Sequence, residues 1–450
     1  MPLSEQKRRP TPINPAKVII IGFAGAILIG TLLLLLPFAT EPEFQTGFTT
    51  ALFTATSAVC VTGLVVVDTG VHWTTFGELI ILLLIQVGGL GIMTLSTGVA
   101  MALGRKVTFR ERMAIQQSMG SITLQGMVRL VRYVVLIAIG FQAVGAVLFA
   151  LRWSGDYPLG RAVYLGVFHA ISAFNNAGFD LFSVSFEPFV QDPLVNAVGI
   201  VLIIFGGIGF IVILDLYRFF RNQRHRLSLH TRLVLLSSIV LILFGAVFFL
   251  VSEMGNPETL GGLSWPGRLM ASVFTAVTPR TAGFNTVTTA DLLPGSLFLL
   301  ILFMFIGGSP GSTAGGVKTT TFMALVLAVS QTFLGRSEIQ VFGRRLKMSI
   351  IFYALTIVIL SITLIFAVTL VLLFLENMPF LDTLFEVTSA FGTVGLSTGI
   401  TPYLSTAGRL IITLLMFAGR VGPLTMVFAL TMERNERGSF RYPEEGIMIG

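Results

Sequence analysis

The sequence predicts an all-α membrane protein: four helix–pore-loop–helix repeats, giving eight transmembrane helices and four re-entrant pore segments around one central pore. Three observations predict it. The first is a set of charge-free runs, residues 18–40, 79–104, 193–214, 233–252 and 348–375, with no Asp, Glu, Lys or Arg. About 20 helical residues cross the ~30 Å hydrocarbon layer, so each run is long enough to span it. The second is a segment that recurs four times, and the third is a distribution of basic residues in phase with that recurrence. The chain is 54% hydrophobic and only 11% charged, against roughly 25% charge in a soluble domain. A soluble globular protein is excluded.

In each copy of the recurring segment a Phe or Val leads through a Ser/Thr-rich dozen residues to one glycine and a bulky apolar residue. The copies are residues 53–64, 168–179, 273–284 and 385–396, and their glycines are Gly63, Gly178, Gly283 and Gly395. These glycines stand 115, 105 and 112 residues apart, the period of one module repeated along the chain. Residues 44–67 carry Thr46, Thr49, Thr50, Thr54, Thr56, Ser57 and Thr62 and are far more polar than the first apolar run. Irregular backbone at membrane depth is tolerated only inside protein or against water, so each copy reads as a re-entrant half-helix and loop between two full spans.

The elements then follow in order. Residues 1–17 form a cytoplasmic tail, 18–104 repeat one, 105–126 a linker, 127–221 repeat two and 222–229 a linker. Residues 230–335 form repeat three with an intramembrane loop at 307–316, 336–346 a linker, 347–432 repeat four and 433–450 a cytoplasmic tail. This layout puts 22 of the 29 lysines and arginines in the termini and the three inter-repeat linkers, which the positive-inside rule places in the cytoplasm. Fourteen of the 22 acidic residues fall on the outer side, either as an ordinary solvated face or as a vestibule that concentrates cations. A removable signal peptide is not expected, because no small-residue cleavage site follows the first apolar run. The single cysteine, Cys60, excludes an internal disulfide; it is either a small packing residue or a lining residue near Gly63.

Four glycine loops on one axis suit a cation. Rings of backbone carbonyls can replace the hydration shell of a monovalent ion, and glycine reaches the backbone angles that aim a carbonyl inward at no steric cost. The half-helices 48–58 and 382–391 point their partially negative C-terminal ends at the ring. The candidate filter residues are Val61, Thr62 and Gly63; Asn176, Ala177 and Gly178; Thr281, Ala282 and Gly283; and Thr393, Val394 and Gly395.

Repeat three has a second feature. Its second helix is interrupted by Gly307, Gly308, Ser309, Pro310, Gly311, Ser312, Thr313, Ala314, Gly315 and Gly316, and five glycines with a proline cannot remain helical. The expectation is a flexible loop across the path below the filter, a gate. Lys318 follows it and Arg420 sits in the last helix; charges at membrane depth mark functional sites. Arg420 either latches the loop carbonyls or pairs structurally with a helix end or with Asp215. Arg280 is expected to brace the third segment against a neighbouring carboxylate such as Glu386. Two enzyme motifs are decoys: Gly307-x-Ser309-x-Gly311 lacks a strand and His and Asp partners, and residues 311–319 miss the phosphate-loop spacing by Val317. No catalytic residue is expected, and no nucleic acid is needed to explain the basic inner face.

With these residues on the page, the chain resembles the superfamily of Trk, Ktr and plant HKT potassium transporters, most of all its KtrB-type membrane subunits. The likeness rests on residues 278–286 (TPRTAGFNT), 307–319 (GGSPGSTAGGVKT) and 389–399 (SAFGTVGLSTG) and covers nearly all of residues 15–440. It implies potassium at the filter carbonyls, sodium as a stimulator and no organic cofactor. It also implies a homodimer in the inner (plasma) membrane, with one pore per subunit, on a cytosolic nucleotide-binding (KtrA-like) ring. The basic linkers 105–112, 218–232 and 336–347 would meet that ring, and the last four residues, 447–450, would tuck into the dimer interface. Sodium-selective plant relatives carry serine where this chain has Gly63. A sodium or ammonium path, or a sensor that retains the pore fold, fits the same residues.

Overall fold

The computed structural model describes residues 15–91, 127–222, 225–336 and 338–422. The linker at 105–126, most of the N-terminal tail and the tail 433–450 with its last four residues lie outside the described residues. The fold is mostly helical. Four helices, Pro15–Leu34, Met127–Trp153, Leu229–Glu253 and Met348–Leu375, contain windows long and apolar enough to cross a membrane. They are apolar all round and expose Leu28, Leu151, Val251 and Phe374, the last at 87%, as a lipid-facing helix does.

Each long helix packs on a short, largely buried helix that follows it: Phe48–Cys60, Leu159–Asn175, Trp265–Val277 and Phe380–Gly392. These four lead into the recurring glycines. Their aromatic anchors Phe53, Phe168, Phe274 and Phe385, at or next to the start of each copy, are all fully buried core residues. A third set of helices comes after each glycine: Thr75–Leu90, Pro193–Gly207 with Phe210–Arg221, Pro294–Phe305 with Thr319–Phe333, and Thr406–Val421. Their starts are set by local chemistry. Thr74, Asp192 and Ser405 accept from backbone N–H groups of the first turn, and Pro193 and Pro294 occupy the first helical position, where no N–H is missed.

Helices of this third set run between units and close a circle. Thr75–Leu90 packs on Leu159–Asn175, Pro193–Gly207 on Trp265–Val277, Pro294–Phe305 on Phe380–Gly392, and Thr406–Val421 on Phe48–Cys60. The acidic residues of one face staple this arrangement. The Arg152 guanidinium donates to Asp192, Glu253 accepts from Leu293 N at 3.0 Å, and Glu376 accepts from Ser405 N at 3.1 Å. Each of these bonds ties the end of a long helix to the start of the helix after the glycine.

Residues 193–214, read from the sequence as one charge-free run long enough to span, are not one straight helix. The run bends by 102° between Pro193–Gly207 and Phe210–Arg221, because Gly209 adopts φ 99° and ends the helical ladder. By length and composition the described residues hold four crossing helices, or five with this pair taken as one. The other helices of the third set are shorter because glycines break them, at Gly91 (φ 80°), in the segment after Ile306 and at Gly422 (φ 90°).

Candidate functional site at the glycine ring

The short helices end alike. In three of them the cap is a non-glycine residue in the left-handed region: Val61 (φ 57°), Asn176 (φ 57°) and Thr393 (φ 51°). In the third copy the helix stops earlier, at Val277, and the left-handed residue is Thr281 (φ 73°). All four stand two places before their glycine. Such conformations cost about 1–3 kcal/mol each and persist only where the surroundings enforce them. The glycines follow at φ 93°, 70°, 77° and 92°.

A hydroxyl residue enforces each turn. The carbonyls of Ser57, Ser172, Thr278 and Ser389 accept from Thr62, Ala177, Ala282 and Val394 N at 2.8–2.9 Å. Their side chains brace the next step. Ser57 and Ser389 accept from Gly63 N and Gly395 N at 3.0 and 3.1 Å, while Ser172 and Thr278 donate to the carbonyls of Phe179 and Phe284. Sequence reasoning did not single out these four residues. The signal was present as a Ser or Thr five or six places before every glycine.

The four turns meet in one ring. A β-carbon on Gly63 would lie 2.5 Å from the Ala177 carbonyl oxygen, and one on Gly178 2.9 Å from the Gly283 α-carbon. On Gly283 it would lie 2.6 Å from the Val394 oxygen, and on Gly395 2.1 Å from the Thr62 oxygen. Each glycine therefore abuts the neighbouring copy in the order one, two, three, four, one. The ring is floored and walled by backbone, and glycine is required by contact as well as by φ.

Outside the ring lies a cavity of about 550 Å³ whose wall includes the four glycines, Asp68, Asp180 and Glu187. These carboxylates are tied down. Asp68 accepts from Gly70 N and Asp180 from Phe182 N, while Glu187 accepts from the Asn285 and Thr288 side chains.

On the other side lies the glycine-rich segment, and it is pinned. Ser309 N and Thr313 N donate to the Gly207 and Gly206 carbonyls, Phe210 N donates to Gly311, and Gly307 N donates to Val317. The Thr313 hydroxyl donates to the Phe174 carbonyl at the end of the second short helix. A β-carbon on Gly315 would meet Thr393 Oγ1 at 2.1 Å, so the segment also packs beneath the fourth copy. Lys318 Nζ donates back to the Ala314 carbonyl at 2.7 Å. Arg420 donates to the carbonyls of Thr313 and Gly88, joining the segment to the end of helix Thr75–Leu90. The loop expected to be flexible is held in this structure by this set of bonds.

Two proposed pairs do not form. Asp215 accepts from His225, Ser228 and Thr231 and is no partner of Arg420. Glu386 accepts from Ser397 and Thr401, while Arg280, 5% exposed, has no carboxylate partner among the described residues and its Nε is unpaired. The reason is depth. Arg280 stands three places before its glycine and Glu386 nine before its own, a difference of roughly 9 Å along a helix. Cys60 is fully buried in the main apolar cluster.

Apolar helices around four abutting glycine turns define a multi-helix membrane protein. The family model described as TrkH, a cation transport protein, matches residues 8–441. The chain is 42% identical to the Ktr system potassium uptake protein B of Bacillus subtilis, over 97% of each chain. It is 36% identical to the potassium/sodium uptake protein NtpJ of Enterococcus hirae, over 99% of each. The solved structure of the potassium transporter TrkH from Vibrio parahaemolyticus superposes with a TM-score of 0.74 at 19% identity, covering 95% of this chain and 87% of that one, a likeness of fold. This chain belongs to the TrkH family of cation transport proteins, which are transporters and not enzymes.

Proposed function

We propose that this chain is a potassium uptake protein that lets the ion run passively down its electrochemical gradient. Four helix–pore-loop–helix repeats make eight crossings around one path, and the four glycine turns are its selectivity filter. The observation that carries this reading is the closed ring in which every glycine abuts the neighbouring copy, so that the backbone of all four copies faces one axis. A dehydrated monovalent cation needs several oxygens at once, and such a ring supplies them. The 42% identical relative named for potassium uptake supports potassium as the ion. A membrane potential of 100 mV contributes about 2.3 kcal/mol per charge, roughly a 50-fold accumulation, so no ATP site is needed.

The glycine-rich segment, with Arg420 and Lys318, is the gate. It lies within the membrane on the side of the ring opposite the acidic cavity, toward the face that charge placement makes cytoplasmic. Both termini are cytoplasmic in this reading. A homodimer rests on a cytosolic nucleotide-binding ring that reads the basic linkers, and sodium stimulates uptake. The name of the potassium/sodium relative fits the last point. Rubidium uptake into liposomes holding the full chain tests the filter, with wild type beside Gly63→Ser and potassium or sodium as competitor. Potassium-favouring uptake that loses its preference in the variant is expected; uptake indifferent to Gly63→Ser would move the filter elsewhere.

A further inference from the structure

Beneath the glycine ring the position two before each glycine carries four different side chains: Val61, Asn176, Thr281 and Thr393. Val61 has no polar atom. The Asn176 amide, with its oxygen and nitrogen interchanged, donates to the Ala173 and Ile203 carbonyls, away from the axis. Thr281 and Thr393 are wholly buried and their hydroxyls have no hydrogen-bond partner. Two unpaired hydroxyls at equivalent positions of adjacent copies are costly, and the left-handed turn does not call for them, since Val61 adopts the same turn without one. The Thr393 hydroxyl faces the glycine-rich segment: it is the atom nearest to a β-carbon built on Gly315, at 2.1 Å, with the Gly392 carbonyl oxygen next at 3.1 Å. The Thr393 oxygen, of the kind a dehydrated cation uses, therefore stands against Gly315 of the segment, and Thr281 holds the equivalent position of the adjacent copy.

We propose that the Thr281 and Thr393 hydroxyls form an inner monovalent-cation site under the glycine ring, covered by Gly315 when the loop is seated. An ion in this site and a seated loop exclude each other, so the transported ion itself favours the open path. The asymmetry matters: hydroxyls occur only on copies three and four, and the loop arises from repeat three and packs beneath copy four. Gly315 is the contact that makes the exclusion, because any side chain there would strike Thr393. This inference rests on the glycine ring being the filter, and the experiment separates the two.

The full chain in detergent is melted in potassium chloride and in choline chloride, and its rubidium uptake in liposomes is titrated. Thr281→Val and Thr393→Val together keep shape and remove both hydroxyls. The potassium-dependent rise in melting temperature should be lost, and the half-saturating rubidium concentration should rise about tenfold (~1.4 kcal/mol of lost ion binding). Thr281→Ser with Thr393→Ser, which keeps both hydroxyls, should preserve both the melting shift and the half-saturation. Thr388→Val, which removes a buried unpaired hydroxyl outside this layer, should change neither. Gly315→Ala should unseat the loop and raise basal flux several-fold. A potassium-dependent melting shift and half-saturation unchanged in the double variant would overturn the inner site while Gly63→Ser still lost selectivity. Equal destabilisation in both salts without rescue by serine would also overturn it, as a structural hydroxyl. Indifference to Gly63→Ser as well would overturn the filter reading along with it.

Discussion

A methyl group added to a ring glycine has nowhere to go but into the neighbouring copy, and the four sites differ in how hard it strikes. The nearest carbonyl oxygen would lie at 2.1 Å for Gly395, 2.5 Å for Gly63, 2.6 Å for Gly283 and 3.1 Å for Gly178. All four also leave a positive φ that costs a β-carbon about 1–2 kcal/mol. Alanine should therefore erode potassium-over-sodium preference in the order Gly395, Gly63, Gly283, Gly178, read by competition of rubidium uptake; equal losses at all four would mean that φ alone matters. The hydroxyl braces act one layer out. Ser57→Ala leaves the buried Gly63 N–H without an acceptor, which costs about 1–3 kcal/mol and should lower both the melting temperature and the ion preference. At this scale the sequence was partly legible. The glycines stood out because nothing else fits their conformation, whereas a serine braces a turn only once the turn is folded, and Ser57 looks like any residue of a Ser/Thr-rich helix. Arg280 was misread because its partner was chosen by charge, while its depth in the membrane decides what it can touch.

Elements are held together by close approach of backbone, and glycine permits it. β-Carbons on Gly88, Gly206 and Gly419 would each lie 1.9 Å from a carbonyl oxygen, of Val59, Phe174 and Phe391, four places before the ring glycine in every case. Three third-set helices thus lie directly on the ends of short helices, and alanine at any of the three should impair assembly, seen as loss of the monodisperse species in detergent. Nothing in the sequence signalled that Gly206 and Gly207 border a 102° break, since hydropathy is blind to a change of direction. Five glycines and a proline do prevent a helix over 307–316, and the freed N–H groups of Ser309 and Thr313 find the carbonyls of Gly207 and Gly206 on another repeat. That bonding makes the latch testable. Arg420 spans two carbonyls on different elements with one planar fork, which a lysine's single ammonium cannot match in geometry. Arg420→Lys and Arg420→Gln should both raise basal rubidium flux, and deletion of residues 309–315 should raise it further. Flux unchanged in folded deletion protein would remove the gate from the proposal.

In the proposed topology the basic linkers face the cytoplasm, and opposite them Asp68, Asp180 and Glu187 serve first as acceptors that fix the loops and only then as a field above the ring. Asp180 shows both uses. It lies in the loop after Gly178, outside the crossing helices, and lines the outer cavity. Burial pushes its carboxyl up to about 6 from the ordinary 3.8, the charge of Asp68 adds to the rise, and the backbone N–H of Phe182 opposes it. The native state therefore holds this proton more tightly than the unfolded chain does. Its contribution to stability is full below about 4 and is lost as pH rises through about 6. Cation attraction runs the other way, present above about 6 and weakened below it as the charge disappears. Asp68 and Glu187 share the cavity, so a residual field remains when Asp180 is neutral. Two measurements on Asp180→Asn should then diverge. Uptake at external pH 7.5 should fall and lose its decline on acidification to pH 5, while the melting temperature should rise relative to wild type at pH 7.5 and match it near pH 4. A variant that keeps the wild-type acid decline would show that another group titrates in the path, and the outer charge would then belong to loop structure alone.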